Sequence, residues 1–182
     1  MDNKVCLVIG AGDATGGAIA RRFAREGYHT CMTRRTRHLD ELEKLAERIR
    51  DDGGSATAFG SDAREEEEVI ALVNKIEKDI GPIEVAVFNI GANVNFSITE
   101  TTTRVYRKVW EMGCFAGFLL GREAARVMIP RERGTILFTG ATASVRGSSG
   151  FSAFAGAKHG LRALAQRMAR GLGPKGIHGA HA

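Results

Sequence analysis

Cysteine is scarce, and what there is excludes two classes at once. Cys6, Cys31 and Cys114 are odd in number, widely spaced and never in a C-x-x-C pair, so neither a disulfide framework nor a cysteine metal site is expected. No apolar run approaches the ~20 residues needed to cross a bilayer, and no membrane partner is expected. The opening Met1-Asp2-Asn3-Lys4 runs straight into an apolar strand, leaving no room for a signal peptide, so a cytoplasmic location is the expectation. Aromatic residues are only 7% of the chain. They are not interleaved with basic residues as a base-stacking surface requires. The formal charge of +5 would suit nucleic acid, but the cations are scattered among acids over several predicted helices, so no nucleic-acid partner is expected. Repeats and linkers are missing too. What remains is 182 residues, 43% apolar and 26% charged, the profile of one globular domain over residues 1–182 with a full core.

The organising stretch is the first 35 residues or so. Val5-Cys6-Leu7-Val8-Ile9 is too short for a helix and reads as a buried strand. The glycine-rich turn Gly10-Ala11-Gly12-Asp13-Ala14-Thr15-Gly16-Gly17 follows, then a helical pattern over 18–26 that Gly27 closes at the C′ position. Strand, glycine turn and helix together present free N–H groups and a positive dipole end to a phosphate. Glycine suits the turn because a Cβ would hold the backbone away from a pyrophosphate.

A second strand, 28–33, runs into Arg34, Arg35 and Arg37. A unit that binds NAD carries Asp or Glu here, roughly 20 residues past the glycines, to grip the ribose 2′-OH. Here Thr33 holds the place and arginines follow, so the expected nucleotide carries a 2′-phosphate, and NADP(H) is preferred over NAD(H). The competing reading is a solvated basic turn.

Further along, Leu39, Leu42, Leu45 and Ile49 make one face of an amphipathic helix ended by Gly53-Gly54. A third strand, 55–59, leads to Asp62. The next helix is expected from Arg64, with Glu65–Glu68 read as solvated carboxylates that complement the helix dipole. A fourth strand ends at Asn89-Ile90-Gly91, and one long helix is expected from about 100 to 129. A fifth strand (134–140), a helix over 152–172 and a sixth strand from Ile177 close the chain. Gly179 is expected to weaken that last strand. His178 and His181 would face opposite sides of it, which makes a shared metal implausible. Strands alternating with helices predict an α/β fold, a Rossmann-type doubly wound parallel sheet with helices on both faces.

With these pieces in place the chain resembles the short-chain dehydrogenase/reductase family over nearly its whole length. The carrying stretches are the turn Gly10–Gly16, Asp62, Phe88-Asn89-Ile90-Gly91 and Phe154-Ala155-Gly156-Ala157-Lys158. The resemblance implies a pyrophosphate held by Gly10, Gly12, Asp13, Thr15 and Gly16, and a 2′-phosphate near Thr33, Arg34 and Arg35. It also implies an adenine beside Asp62 and Ala63, a sheet edge stabilised by Asn89 with Ile90 and Gly91, and ribose hydroxyls held by Lys158. A small-molecule substrate and a homodimer or homotetramer are implied as well.

The reaction centre departs from the family pattern of Tyr-x-x-x-Lys with an upstream Ser and Asn. Counting back from Lys158, Phe154 stands at the tyrosine, Ala141 at the serine and Gly113 at the asparagine. Hydride transfer to a carbonyl leaves an alkoxide that needs a proton, and neither phenylalanine nor alanine can donate one. Thr142 is the nearest substitute donor to the carbonyl. His159 and Ser152, one or two residues from Lys158 and Phe154, point elsewhere on a helix. Family members also continue past the sixth strand into a further lobe, so these residues represent either a shortened member or part of a larger one. Two functions follow: an NADP(H)-dependent oxidoreductase with weak activity or an atypical proton donor, or a non-catalytic dinucleotide-binding sensor or subunit.

Overall fold

In a computed structural model, the structure describes residues 3–182. A single parallel sheet carries six strands: β1 (Val5–Ile9), β2 (His29–Arg34), β3 (Ser55–Gly60), β4 (Ile83–Phe88), β5 (Gly134–Phe138) and β6 (Ile177–His181), in the spatial order β3-β2-β1-β4-β5-β6. The helices are α1 (Thr15–Arg25), α2 (Leu39–Asp51), α3 (Glu66–Asp79), α4 (Thr103–Trp110), α5 (Ala116–Met128) and α6 (Ser152–Leu172). The fold expected from the sequence is the fold observed.

Alternation along β1 builds the two halves of the core. Val5, Leu7 and Ile9 pack with Leu72, Phe88, Leu120 and Leu161 on one face. Cys6 and Val8 pack with Met32, Leu42, Leu45 and Ile49 on the other. Every residue of β1 and β4 is buried, because a parallel strand covered on both faces has no solvated side. The order reverses between β1 and β4, and the crevice beyond their carboxyl ends is where such sheets take ligands.

Several local expectations need correction. Gly16 and Gly17 lie inside the first turn of α1 rather than in the loop before it. Both serve packing: a Cβ on Gly16 would collide with the backbone at Gly10, and one on Gly17 would sit 2.6 Å from the Gly12 carbonyl. The helix expected from Arg64 begins at Glu66, because Arg64 turns back on Asp62 through its own N–H. Its carboxylates face water as expected, and two of them also find partners: Glu68 accepts from the Asp62 N–H at 2.7 Å, and Glu66 pairs with Arg122 at 2.6 Å.

The long helix expected over 100–129 starts at Thr103, capped by the Thr102 hydroxyl, and is interrupted at Glu111–Phe115 by a wide π turn. No periodicity in the sequence announces that extra residue. Gly179 does not abolish β6. It lets α6 pass close, since a Cβ there would lie 3.2 Å from the Ala169 nitrogen. His178 is exposed and His181 is partly buried, on opposite sides of the strand as expected. Among the described residues no cluster of metal-ligating side chains occurs, and no helix is long and apolar enough to cross a membrane.

Candidate functional site

The register of the three central strands makes the site. Ile9 pairs with Thr33 on one side and with Phe88 on the other, so the chain leaves all three strands at one level. The N–H groups of Gly10 and Ala11 both donate to the Thr33 carbonyl at 3.1 Å. Asn89 donates from its side chain to the Gly10 carbonyl at 3.1 Å, fixing the glycine turn to the end of β4. The result is an open cleft of about 290 Å³.

Its floor is Ile9, Gly10 and Gly12, one wall is Asn89, Ile90, Gly91 and Ala92 with Met112, and the other end is Thr33, Arg34, Arg35, His38, Ser61, Asp62, Ala63 and Arg64. A Cβ built on Gly12 meets nothing within 4 Å, so the missing side chain leaves space at the cleft rather than serving internal packing. Among the described residues, Ser61 in the same cleft is one of three with a buried side-chain polar atom that has no hydrogen-bond partner. Open glycine, clustered cations and an unsatisfied hydroxyl fit a phosphate-bearing nucleotide.

Some of the expected residues stand elsewhere. Asp13 and Thr15 are exposed and outside the cleft wall, and Gly16 is buried in α1. Arg37 is exposed, donates to the His38 ring at 3.0 Å and does not line the cleft, so it leaves the arginine cluster. Arg34 is at the cleft but tied to Glu41 at 2.7 Å. Asp62 is held bidentately by Arg64, at 2.9 and 2.5 Å, and those hydrogen bonds keep its carboxyl below the usual range. His38, Ser61, Arg64, Ala92 and Met112 were not singled out from the sequence, although Ser61 and Arg64 flank Asp62 and could have been. Ala92 has a positive φ of 59°, a strained backbone for a residue with a Cβ.

Of the expected reaction centre, Lys158 lies deeper than the cleft. Lys158 is 2% exposed and does not line the cleft. Its ammonium donates to the Thr139 carbonyl at 2.8 Å and to the Ile90 carbonyl at 3.0 Å, joining the chain just past β5 to the loop just past β4. Phe154, half-buried, lies with its ring centroid 5.9 Å from the ammonium.

Ala141 and Thr142 are exposed, outside the cleft wall, and Ala141 donates its N–H to the Ser144 hydroxyl at 3.0 Å. His159 bonds the Ala155 carbonyl through Nδ1, and Ser152 approaches Thr101 at 3.4 Å, so both point elsewhere, as expected. Gly113 sits in the π turn, where a Cβ would meet that of Ala157 at 3.1 Å. Phe154, Ala153, Ala157, Val109 and Cys114 form an apolar cluster there.

Burial brings the Lys158 pKa down from 10.5 to about 8. Because the folded value is the lower one, the unfolded chain keeps the proton longer and stability rises with pH from about 8 to 10.5. The rise is worth about 3 kcal/mol at the upper limit. Buried Cys31, raised to about 12, opposes it above pH 9 in parent and variant alike. Lys158→Met is therefore expected to remove only the rising component. Denaturant unfolding of both proteins at pH 7.5 and 10 checks this, and a parent-minus-variant difference that does not change with pH contradicts it.

Comparison with known proteins agrees with this geometry. A family model described as short chain dehydrogenase matches residues 4–180. A 3-oxoacyl-[acyl-carrier-protein] reductase of Bos taurus is 30% identical over 172 residues, covering 92% of this chain and 70% of its own length. The crystal structure of a short-chain dehydrogenase from Rhodopseudomonas palustris superposes with a TM-score of 0.94 at 54% identity, covering all of this chain and 84% of that one. An actinorhodin polyketide ketoreductase variant solved with NADPH gives a TM-score of 0.93 at 25% identity, covering 98% of this chain and 69% of that one.

Proposed function

The chain belongs to the short-chain dehydrogenase/reductase family of oxidoreductases, and from that premise we propose that it uses NADP(H) on a small carbonyl or hydroxyl compound, with weak activity or an atypical proton donor. The observation that carries the cofactor reading is the cleft itself, with Gly12 open and Arg34 and Arg35 at the far end. Gly10, Gly12, Asn89, Ile90 and Gly91 would hold the pyrophosphate and nicotinamide side, while Thr33, Arg34, Arg35, Asp62 and Ala63 would hold the adenosine side. The nicotinamide would supply or accept the hydride. Asn89 keeps the turn in place through the Gly10 carbonyl. Lys158 would reach ribose hydroxyls only with its third N–H, since two are committed to carbonyls.

Gly12→Ala tests the reading. No neighbour resists the new Cβ, so the thermal midpoint should barely move while NADPH affinity, measured by calorimetry, falls at least tenfold. Unchanged affinity would contradict a pyrophosphate at that turn. A specific observation favours the second reading, a dinucleotide-binding sensor or subunit: Phe154 packs in an apolar cluster and has no proton of its own to give a carbonyl. A cytoplasmic setting is supported by three thiols that remain free.

Pairing of two or four copies is supported by an outward ladder on the α4–α5 segment. Trp110 stacks on Phe115 at 5.8 Å, Phe115 on Phe118 at 6.1 Å, and Arg122 covers Phe118 at 5.4 Å. Phe118→Glu should then convert the assembly to monomers in sedimentation velocity. A parent that already sediments as a monomer rules the pairing out.

A further inference from the structure

We infer that Ser61, beside Asp62, meets the adenosine end of the nucleotide, its buried hydroxyl taking there a hydrogen bond that nothing in the empty protein supplies. The inference rests on the cofactor reading above and deepens it. Ser61 is the first residue past β3, and its N–H donates to the Arg34 carbonyl at 2.8 Å. That bond places it between the end of β2 and the Asp62 turn. It is 6% exposed, lines the cleft, and its Oγ has no partner.

The next residue, by contrast, already has partners for each of its polar groups. The Asp62 carboxylate is gripped by Arg64 at 2.9 and 2.5 Å and also receives the Arg64 N–H at 3.1 Å. The Asp62 N–H goes to Glu68 at 2.7 Å, and its carbonyl accepts from the Glu65 N–H at 3.0 Å. A buried hydroxyl left unpaired is a standing cost to the empty protein. It persists here at the one place in the cleft where a nucleotide would relieve it. Buried polar groups left open in this way are also what lets a site reject a ligand lacking the matching atom.

The inference separates two effects that a structural serine would not separate. Ser61→Ala removes the unpaired hydroxyl, so the empty protein should melt roughly 2–4 °C higher. The same substitution removes the hydroxyl a nucleotide would pair with, so binding of adenosine 2′,5′-bisphosphate, a probe confined to the adenosine end, should weaken about tenfold by calorimetry. Ser61→Thr, which keeps a hydroxyl, should retain most of the affinity.

A parent that binds the bisphosphate while Ser61→Ala binds it equally well overturns the assignment and leaves the cofactor reading standing. So does a lower melting point for Ser61→Ala, which would mean that the hydroxyl already serves the fold. A parent that binds neither the bisphosphate nor NADPH overturns the cofactor reading itself, and this assignment with it.

Discussion

Replacing Arg34 and Arg35 together with alanine is expected to weaken NADPH binding by about 10²–10³ while leaving NADH nearly unchanged. Each guanidinium on a phosphate contributes a charge-assisted hydrogen bond worth roughly 1.5–3 kcal/mol, and every 1.4 kcal/mol is tenfold. The two arginines are unequal. Arg34 already spends one N–H on Glu41 at 2.7 Å, whereas no ion pair of Arg35 occurs among the described residues. Arg35→Ala should therefore account for more than half of the loss.

Arg37→Ala is the internal control, since Arg37 faces water outside the cleft. Its effect should stay within a factor of two. The discrimination should also shrink as salt is raised, because the cleft is open and the charges are screened. Calorimetric titration of the four proteins with both nucleotides decides the matter. A parent that binds NADH as tightly as NADPH, or a double variant that loses both equally, removes the 2′-phosphate argument.

Restoring a proton donor should matter as much. Phe154→Tyr with Ala141→Ser is expected to raise carbonyl reduction by about 10²-fold or more over the parent, the usual contribution of a positioned general acid. The surroundings favour it. The Lys158 ammonium lies 5.9 Å from the centroid of the Phe154 ring, close enough for its charge to lower the pKa of a phenol placed there. Ala141 is exposed, so a serine enters without displacing the core.

An asparagine at Gly113 would be harder to fit. At Gly113 the Ala157 methyl stands 3.1 Å from the new Cβ, and the π turn would have to shift. With burial holding the Lys158 pKa near 8, the gain should fade as pH rises through that value and the ammonium is lost. Adding Lys158→Met to the double variant should cancel most of the gain. Steady-state turnover on a panel of aldehydes and ketones measures all three proteins. A parent as active as the double variant would mean that another group already supplies the proton.

The two halves of the site differed in how far residue order could define them. The turn Gly10–Gly12 and the arginines after β2 lie within the first 35 residues, in a strand-turn-helix unit whose geometry is local. Their meeting in one cleft follows from the strand order alone. Arg37 failed that reasoning because the chain enters a 3-10 turn at Thr36–His38, which swings one of three neighbouring arginines away. Glu65–Glu68 are exposed in and before the first turn of α3 as expected, but the partner that Glu66 finds in Arg122, 56 residues on, is one that no local pattern brings near.

The amino-acid order by itself determined the alternating strands and helices, the parallel sheet and the glycine turn, because period and backbone freedom are properties of short segments. Only the tertiary structure decided which groups are already satisfied: Lys158 bound to two carbonyls, Asp62 locked by Arg64, Ser61 left open. Hydrogen-bond satisfaction depends on which groups packing brings together, whether two residues apart like Asp62 and Arg64 or 68 apart like Lys158 and Ile90, once it has excluded the water that would otherwise serve them.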